Sequence, residues 1–218
     1  MSLFIALEGP EGGGKSTQAR RLHAALDAQG YDAILTREPG GTTIGEAIRA
    51  IVLADHARGM TAETEALLYM AARAQHVADV IAPALAGGKI VICDRYIDST
   101  LAYQGAGRGL DITSLRWLQA FAGRGIRPDL VILLDVPVEV GLARKANSGE
   151  ALNRLDTDEH RFHERVRTWF LEAAGAAPDR WFVIDATAPP AAVEQAVRNA
   201  VLRRLEHAEA ASVVRGRP

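Results

Sequence analysis

Only one cysteine, Cys93, stands in 218 residues. An internal disulfide is excluded, and the composition fits a reducing, cytoplasmic setting. Cys93 lies inside an apolar run and reads as a small buried residue, not a reactive thiol. An excess of positive charge is also missing. With 25 basic and 27 acidic residues the net charge is −2, which leaves no basic footprint for nucleic acid. No apolar run approaches the roughly 20 residues of a membrane helix, so no membrane partner is expected. The first apolar run leads into glycines and does not read as a signal peptide. Lysine is scarce as well: Lys15, Lys89 and Lys145 stand against 22 arginines. Where any cation serves, this chain writes arginine, so an isolated lysine marks a place where a compact ammonium is needed.

What is present explains one of the three lysines. Gly9 and Gly14 frame four residues and precede Lys15 and Ser16, the G-x-x-x-x-G-K-S pattern of a phosphate-binding loop. The pattern requires a strand before it and a helix after it. Leu3 to Leu7 is an apolar run of strand length, and Ala19, Leu22 and Leu26 recur at helical spacing before Gly30. The loop's backbone N–H groups and the helix N-terminus then surround a polyphosphate.

Strand-like runs recur at 3–7, 33–36, 90–93, 130–134 and 182–184. Helical patterns fall near 15–29, 43–54, 62–86, 112–123, 137–146, 158–174 and 190–207. This alternation predicts an α/β fold with a parallel sheet covered on both faces. One domain over residues 1–207 is expected, followed by a flexible tail at 208–218.

Four further stretches carry candidate chemistry. Asp94 ends the third strand, where ligands of parallel sheets collect. It is placed to hold Mg²⁺ beside Lys15, with Arg95 next to it to bridge phosphates. Ser99, Thr100, Tyr103 and Gln104 follow, polar groups with one aromatic that suit the edge of a nucleobase. In 67–88, Leu67, Ala71, Ala74, Ala78 and Ile81 predict the inward face, while Tyr69 and Arg73, four apart, share another face. Arg37 and Glu38 end the second strand on the ligand side, and Arg49 follows in the next helix. Residues 143–156 are polar and read as a lid whose cations are Arg144, Lys145 and Arg154. His160 and His163 are three apart, but no third ligand accompanies them.

Several stretches together resemble the thymidylate kinase family. They are Glu8 through Thr17, Thr36 through Thr42, Asp94-Arg95-Tyr96 with Ser99 through Gln104, and Asn153 through Asp156. The resemblance spans residues 3 to about 187. It implies a nucleoside monophosphate kinase fold with a five-stranded parallel sheet, ATP and dTMP as substrates, Mg²⁺ as cofactor, and a homodimer. It further implies that Gly9, Pro10, Glu11, Gly12, Gly13, Gly14, Lys15, Ser16 and Thr17 hold ATP, with Ser16 and Asp94 near the metal. Arg37 and Arg49 grip the dTMP phosphate. Tyr69 stacks on thymine, Arg73, Thr100 and Gln104 read its edges, and Glu8 and Tyr103 lie near the sugar. Arg95 lies between the two phosphates. Position 11 is Glu and the loop has no arginine, so a lid cation, Arg154 or Arg144, is expected to pair with Glu11 and complete the charge.

Two other readings fit a phosphate loop. One is a different nucleoside monophosphate kinase. The other is a nucleotide switch, but the Asn-Lys-x-Asp element that reads guanine in that class is absent from the sequence.

Overall fold

Apolar runs without polar alternation pair side by side in this chain. A computed structural model describes residues 2–148, 155 and 158–215. Among them five strands form one sheet: β1 (Leu3–Glu8), β2 (Ala33–Arg37), β3 (Ile90–Asp94), β4 (Leu130–Asp135) and β5 (Trp181–Asp185). Their order is β2-β3-β1-β4-β5 and every pairing is parallel. The expected α/β architecture is present, and each strand end lies within one residue of its predicted position.

The side-chain period of two sends β1 to both faces of the sheet. Leu3, Ile5 and Leu7 join Leu22 and Leu26 of α1 (Lys15–Asp27) and Val197 and Val201 of α9 (Pro190–Arg215). Phe4 and Ala6 point the opposite way, against Val91, Cys93 and Tyr96. Each such Leu, Ile or Phe contributes about 1.5–3 kcal/mol by leaving water. Cys93 is fully buried, and burial pushes its thiol well above the usual range, so it is the inert small residue expected.

The helices depart from the sequence pattern in instructive places. α2 (Thr43–Leu53) starts where predicted, capped by the Thr42 hydroxyl. The single helix expected over 62–86 is α3 (Ala62–His76), a π-helical turn Val77–Ile81, and α4 (Ala82–Ala86). Pro83 has no N–H to donate, and the wide turn before it absorbs the missing bond. The sequence pattern assigns no helix to 97–107, yet α5 (Ile97–Thr100) runs into a π-helical turn Leu101–Gly107. Nearly every residue of that turn is buried, and a helix covered all round shows no amphipathic period. α6 (Ile112–Ala122), α7 (Val138–Ala146) and α8 (His160–Ala176) follow as expected. α9 continues to Arg215, past residue 207, where the apolar spacing ends.

The predicted inward face of α3 is a further correction. Ile81 is fully buried as expected and Ala74 and Ala78 are half-buried, but Leu67 is 54% exposed and Ala71 is exposed, whereas Glu65, Arg73 and His76 are buried. Hydrophobicity alone misplaced the start of the stripe. The buried side mixes Ala66, Met70 and Ala72 with these charged groups, which can be buried because each has a partner.

Candidate active site

β1 lies between β3 and β4, so chain connections leave it in opposite directions and open a crevice at the strand ends. The phosphate loop crosses that crevice. Gly9 has φ 141°, and a Cβ there would come within 2.5 Å of the Leu134 carbonyl oxygen. Gly12 has φ 70° and lies against Gly141 of α7, where a Cβ would reach 2.0 Å from a carbonyl oxygen. Only glycine fits these two positions. The loop ends at Gly14, the N-cap of α1, which makes no side-chain capping bond. By contrast, side chains cap α2, α3 and α6. The first N–H groups of α1 therefore remain available to an anion.

A cavity of about 1060 Å³ opens from this loop. Its lining runs from Lys15, Ser16 and Thr17 past Asp94 and Arg95 to Tyr69, Arg73 and Gln104. Lys15 is buried, and its Nζ donates to the Gly9 and Pro10 carbonyls at 3.0 and 2.6 Å. Burial, reinforced by nearby Arg95, lowers the Lys15 pKa to about 8 despite Glu11, Asp94 and Glu8. Ser16 Oγ donates a short hydrogen bond to Asp94 Oδ2. This hydroxyl and carboxylate form a hard-oxygen pair suited to Mg²⁺ shared with phosphate oxygens. Among the described residues no cluster of three or more His, Cys, Asp or Glu offers an all-protein metal cage.

Arg95 follows Asp94 with φ 68°, a left-handed conformation that turns its side chain back over the loop. Its Nη2 donates to Glu11 Oε1 at 2.6 Å, and Nη1 donates to the Gly9 carbonyl and Ser99 Oγ at 3.3 and 3.2 Å. The guanidinium lies 4.9 Å from the Tyr103 ring centroid, and Tyr103 Oη donates to the same Glu11 oxygen at 3.0 Å. Burial alone would raise the Glu11 carboxyl, but Arg95, then Lys15 and Tyr103, pull it down to about 2. Arg95 is thus a cation paired with Glu11 from outside the lid, and Lys145 from the lid adds to the same effect. Arg144, which lines the same cavity, donates from Nη1 to the Ala186 carbonyl at 2.7 Å. Arg154, and the lid tip at 149–154 with it, lie outside the described residues.

At the other end of the cavity Arg73 is 1% exposed. Its Nε donates to Glu38 Oε2 at 2.8 Å, and Nη2 donates to the Tyr96 carbonyl and Thr100 Oγ1, each at 3.1 Å. The guanidinium lies over the Tyr96 ring, 5.1 Å from its centroid. Thr100 lines the cavity, but its hydroxyl also supports Arg73. Gln104 Nε2 donates to Glu65 Oε1 at 2.7 Å. Arg37 pairs with Glu46 at 2.9 Å and Arg49 Nη1 donates to the Pro39 carbonyl at 3.0 Å, and both line the cavity.

Glu8, expected near the sugar, sits beneath the cavity and supports residues that line it. It is fully buried and does not line the cavity. Its carboxyl accepts from the Tyr96 and Ser99 N–H groups and from Ser99 Oγ, at 2.8, 3.2 and 2.5 Å, and so fastens the start of α5. Burial, with Asp98 nearby, pushes it up to about 7.

Sequence reasoning missed Glu65 and His76, and undervalued Glu38. His76 Nδ1 lies 3.1 Å from Glu38 Oε1, and Nε2 lies 2.6 Å from Thr36 Oγ1. The signal was readable: Glu65, Tyr69, Arg73 and His76 recur at intervals of four, four and three, a polar helical stripe.

The family model described as thymidylate kinase matches residues 7–197. The chain belongs to the thymidylate kinase family. The thymidylate kinase of Thermomicrobium roseum is 58% identical over 197 residues, covering 90% of this chain and 93% of its own. That of Pseudomonas fluorescens strain SBW25 is 50% identical over 206 residues, covering 94% and 98%. A crystal structure of thymidylate kinase from Ehrlichia chaffeensis aligns with TM-score 0.72 and 33% identity, covering 94% of this chain and 98% of that one. Family membership excludes the nucleotide-switch reading and fits the order of elements around the crevice.

Proposed function

We propose that this enzyme transfers the γ-phosphoryl group of ATP to dTMP, giving ADP and dTDP. One observation carries the reading. A single cavity joins the phosphate loop at one end to Tyr69, Arg73 and Gln104 at the other, with Arg95 between them. ATP phosphates lie in loop 9–17, where the free N–H groups of α1 and Lys15 neutralise them. dTMP lies across Tyr69, its base edge facing Arg73 and Gln104 and its phosphate facing Arg37 and Arg49. Mg²⁺, held through Ser16 and Asp94, supplies charge neutralisation to the phosphates. Arg95 spans the acceptor and donor sides, and Glu11 and Ser99 fix its guanidinium in place. Transfer between two anions needs such preorganised cations more than a strong base. Lys145, which also lines the cavity and lowers Glu11, and Arg154 are the cations the lid brings.

The enzyme works as a homodimer. Ile44 and Ile51 on α2, Leu67 on α3, and Trp117 and Phe121 on α6 are each about half to three-quarters exposed. These three helices pack side by side, α2 on α3 and α3 on α6. The Trp117 and Phe121 rings stack on each other in the open, with centroids 6.1 Å apart. Large apolar groups gathered on adjacent helices fit a self-complementary face. No helix among the described residues is long and apolar enough to cross a membrane.

Two results test the substrate assignment. Arg73→Ala is expected to raise KM for dTMP by about tenfold or more and leave KM for ATP within about twofold, because the unread base edge loses a charged hydrogen-bond donor. Equal rises in both KM values contradict the assignment. The Lys15 pKa near 8 predicts a pH effect on free enzyme. Lys15 is charged below that pH, so kcat/KM for ATP is expected to fall as pH rises through about 8. kcat stays flat over the same range, because bound phosphates hold the ammonium charged. A profile of kcat/KM that stays level to pH 10 contradicts this role.

A further inference from the structure

Gln104 has two different ends, and one of them is already committed. Its Nε2 donates to Glu65 Oε1 at 2.7 Å, and Gln104 and Glu65 are 2% and 1% exposed. Glu65 comes from α3 and is also 3.5 Å from Arg108 Nε. Arg108 is itself held by two bonds to Asp158, at 2.8 and 2.7 Å, and lies 4.5 Å from the Phe162 ring centroid. A carboxylate only accepts hydrogen bonds, whereas an amide offers NH₂ at one end and a carbonyl at the other. Glu65 therefore decides which way the amide of Gln104 faces. The donor end is turned toward Glu65, and Oε1 is left for the cavity that Gln104 lines.

The consequence is a choice among pyrimidines. Thymine and uracil carry an N–H at ring position 3 and a carbonyl at position 4. Cytosine carries a bare nitrogen at 3 and an amino group at 4. An acceptor from Gln104 beside the donors of Arg73 matches the first pair and opposes the second at both positions. We propose that Glu65 is a positioning residue for base specificity: it rejects cytosine by fixing the Gln104 amide with Oε1 toward the base, without touching the base itself. This rests on the dTMP reading above. Its strength comes from the unpaired polar groups that the wrong base leaves behind.

The test compares kcat/KM for dTMP, dUMP and dCMP in the wild type, Glu65→Gln and Arg108→Met. A glutamine at 65 can accept or donate, so the Gln104 amide becomes free to turn over. E65Q is expected to lower the dTMP-to-dCMP ratio by about tenfold or more. The dTMP-to-dUMP ratio stays within about twofold, since those bases share the edge in question, and KM for ATP does not move. R108M removes a second neighbour of Glu65 and is expected to leave the dTMP-to-dCMP ratio unchanged. An unchanged ratio in E65Q overturns the proposal, as does an equal shift in the dUMP ratio or the same loss in R108M. Should E65Q not fold, the wild type alone decides. N3-methyl-dTMP lacks the hydrogen that Oε1 accepts and is expected to bind about a hundredfold more weakly than dTMP, so equal binding overturns the proposal. A wild type that prefers dTMP while any of these checks fails removes only the role of Glu65. A wild type that phosphorylates no pyrimidine monophosphate removes the dTMP reading and this proposal with it.

Discussion

Lys15→Ala is expected to lower kcat by at least about a hundredfold and leave the fold intact. Lys15 packs against no apolar cluster. Its Nζ is held by two loop carbonyls, Gly9 and Pro10, whose own positions are set by glycine geometry. Removing the side chain leaves those carbonyls exposed to the cavity, where water replaces the ammonium. What is lost is a compact charge aimed at the transferring phosphates. Its replacement by arginine is no remedy, because a planar fork does not fit a bed made for a point charge. Far-ultraviolet circular dichroism and melting temperature are expected to match the wild type, and turnover is measured by coupled ADP release. Retention of more than about a tenth of wild-type kcat contradicts the role.

Arg95→Met is expected to be at least as severe, about a thousandfold in kcat, the scale on which arginines act at transferring phosphoryl groups. Three partners hold this guanidinium: Glu11, Ser99 and the Gly9 carbonyl. None of them is a substrate atom, so the group is oriented before substrate arrives, and its stabilisation costs no reorganisation during transfer. Loss of Arg95 also strips Glu11 of its main counter-charge, and burial then drives that carboxyl upward from about 2. Arg95→Lys keeps the charge but not the fork, and is expected to recover only a small part of the rate. KM for ATP changes little in both variants if the contact belongs to the transition state. A large rise in KM with kcat intact contradicts the assignment.

The fold was legible because its central strands β1, β3 and β4 are continuous apolar runs, buried on both faces, that alternate with helical patterns. The phosphate loop was legible because glycine spacing and a lone lysine are local signals. The base end was only half legible. Tyr69, Arg73, Thr100 and Gln104 were found, but their supports come from elsewhere in the chain: Glu38 from the end of β2, Glu65 from α3, and Tyr96 after β3. No local pattern states that Glu38 and Arg73, 35 residues apart, share a hydrogen bond. The stripe on α3 failed for a related reason. A helix face of Glu65, Arg73 and His76 looks solvated until each partner is known. The pairing of Glu11 with Arg95 was not legible because the left-handed turn at Arg95, which brings its guanidinium over the loop, has no glycine to announce it.

The most direct test of the account measures product formation from ATP with dTMP, dUMP, dCMP, dGMP and AMP offered separately in the presence of Mg²⁺. The account predicts dTDP and ADP in equal amounts. It predicts that dTMP gives the highest kcat/KM, that dUMP lies within about one order of magnitude because a single methyl group is worth about 1 kcal/mol, and that dCMP and both purines fall at least about a hundredfold lower. A purine preferred over dTMP, or ATP bound with no acceptor phosphorylated, contradicts it.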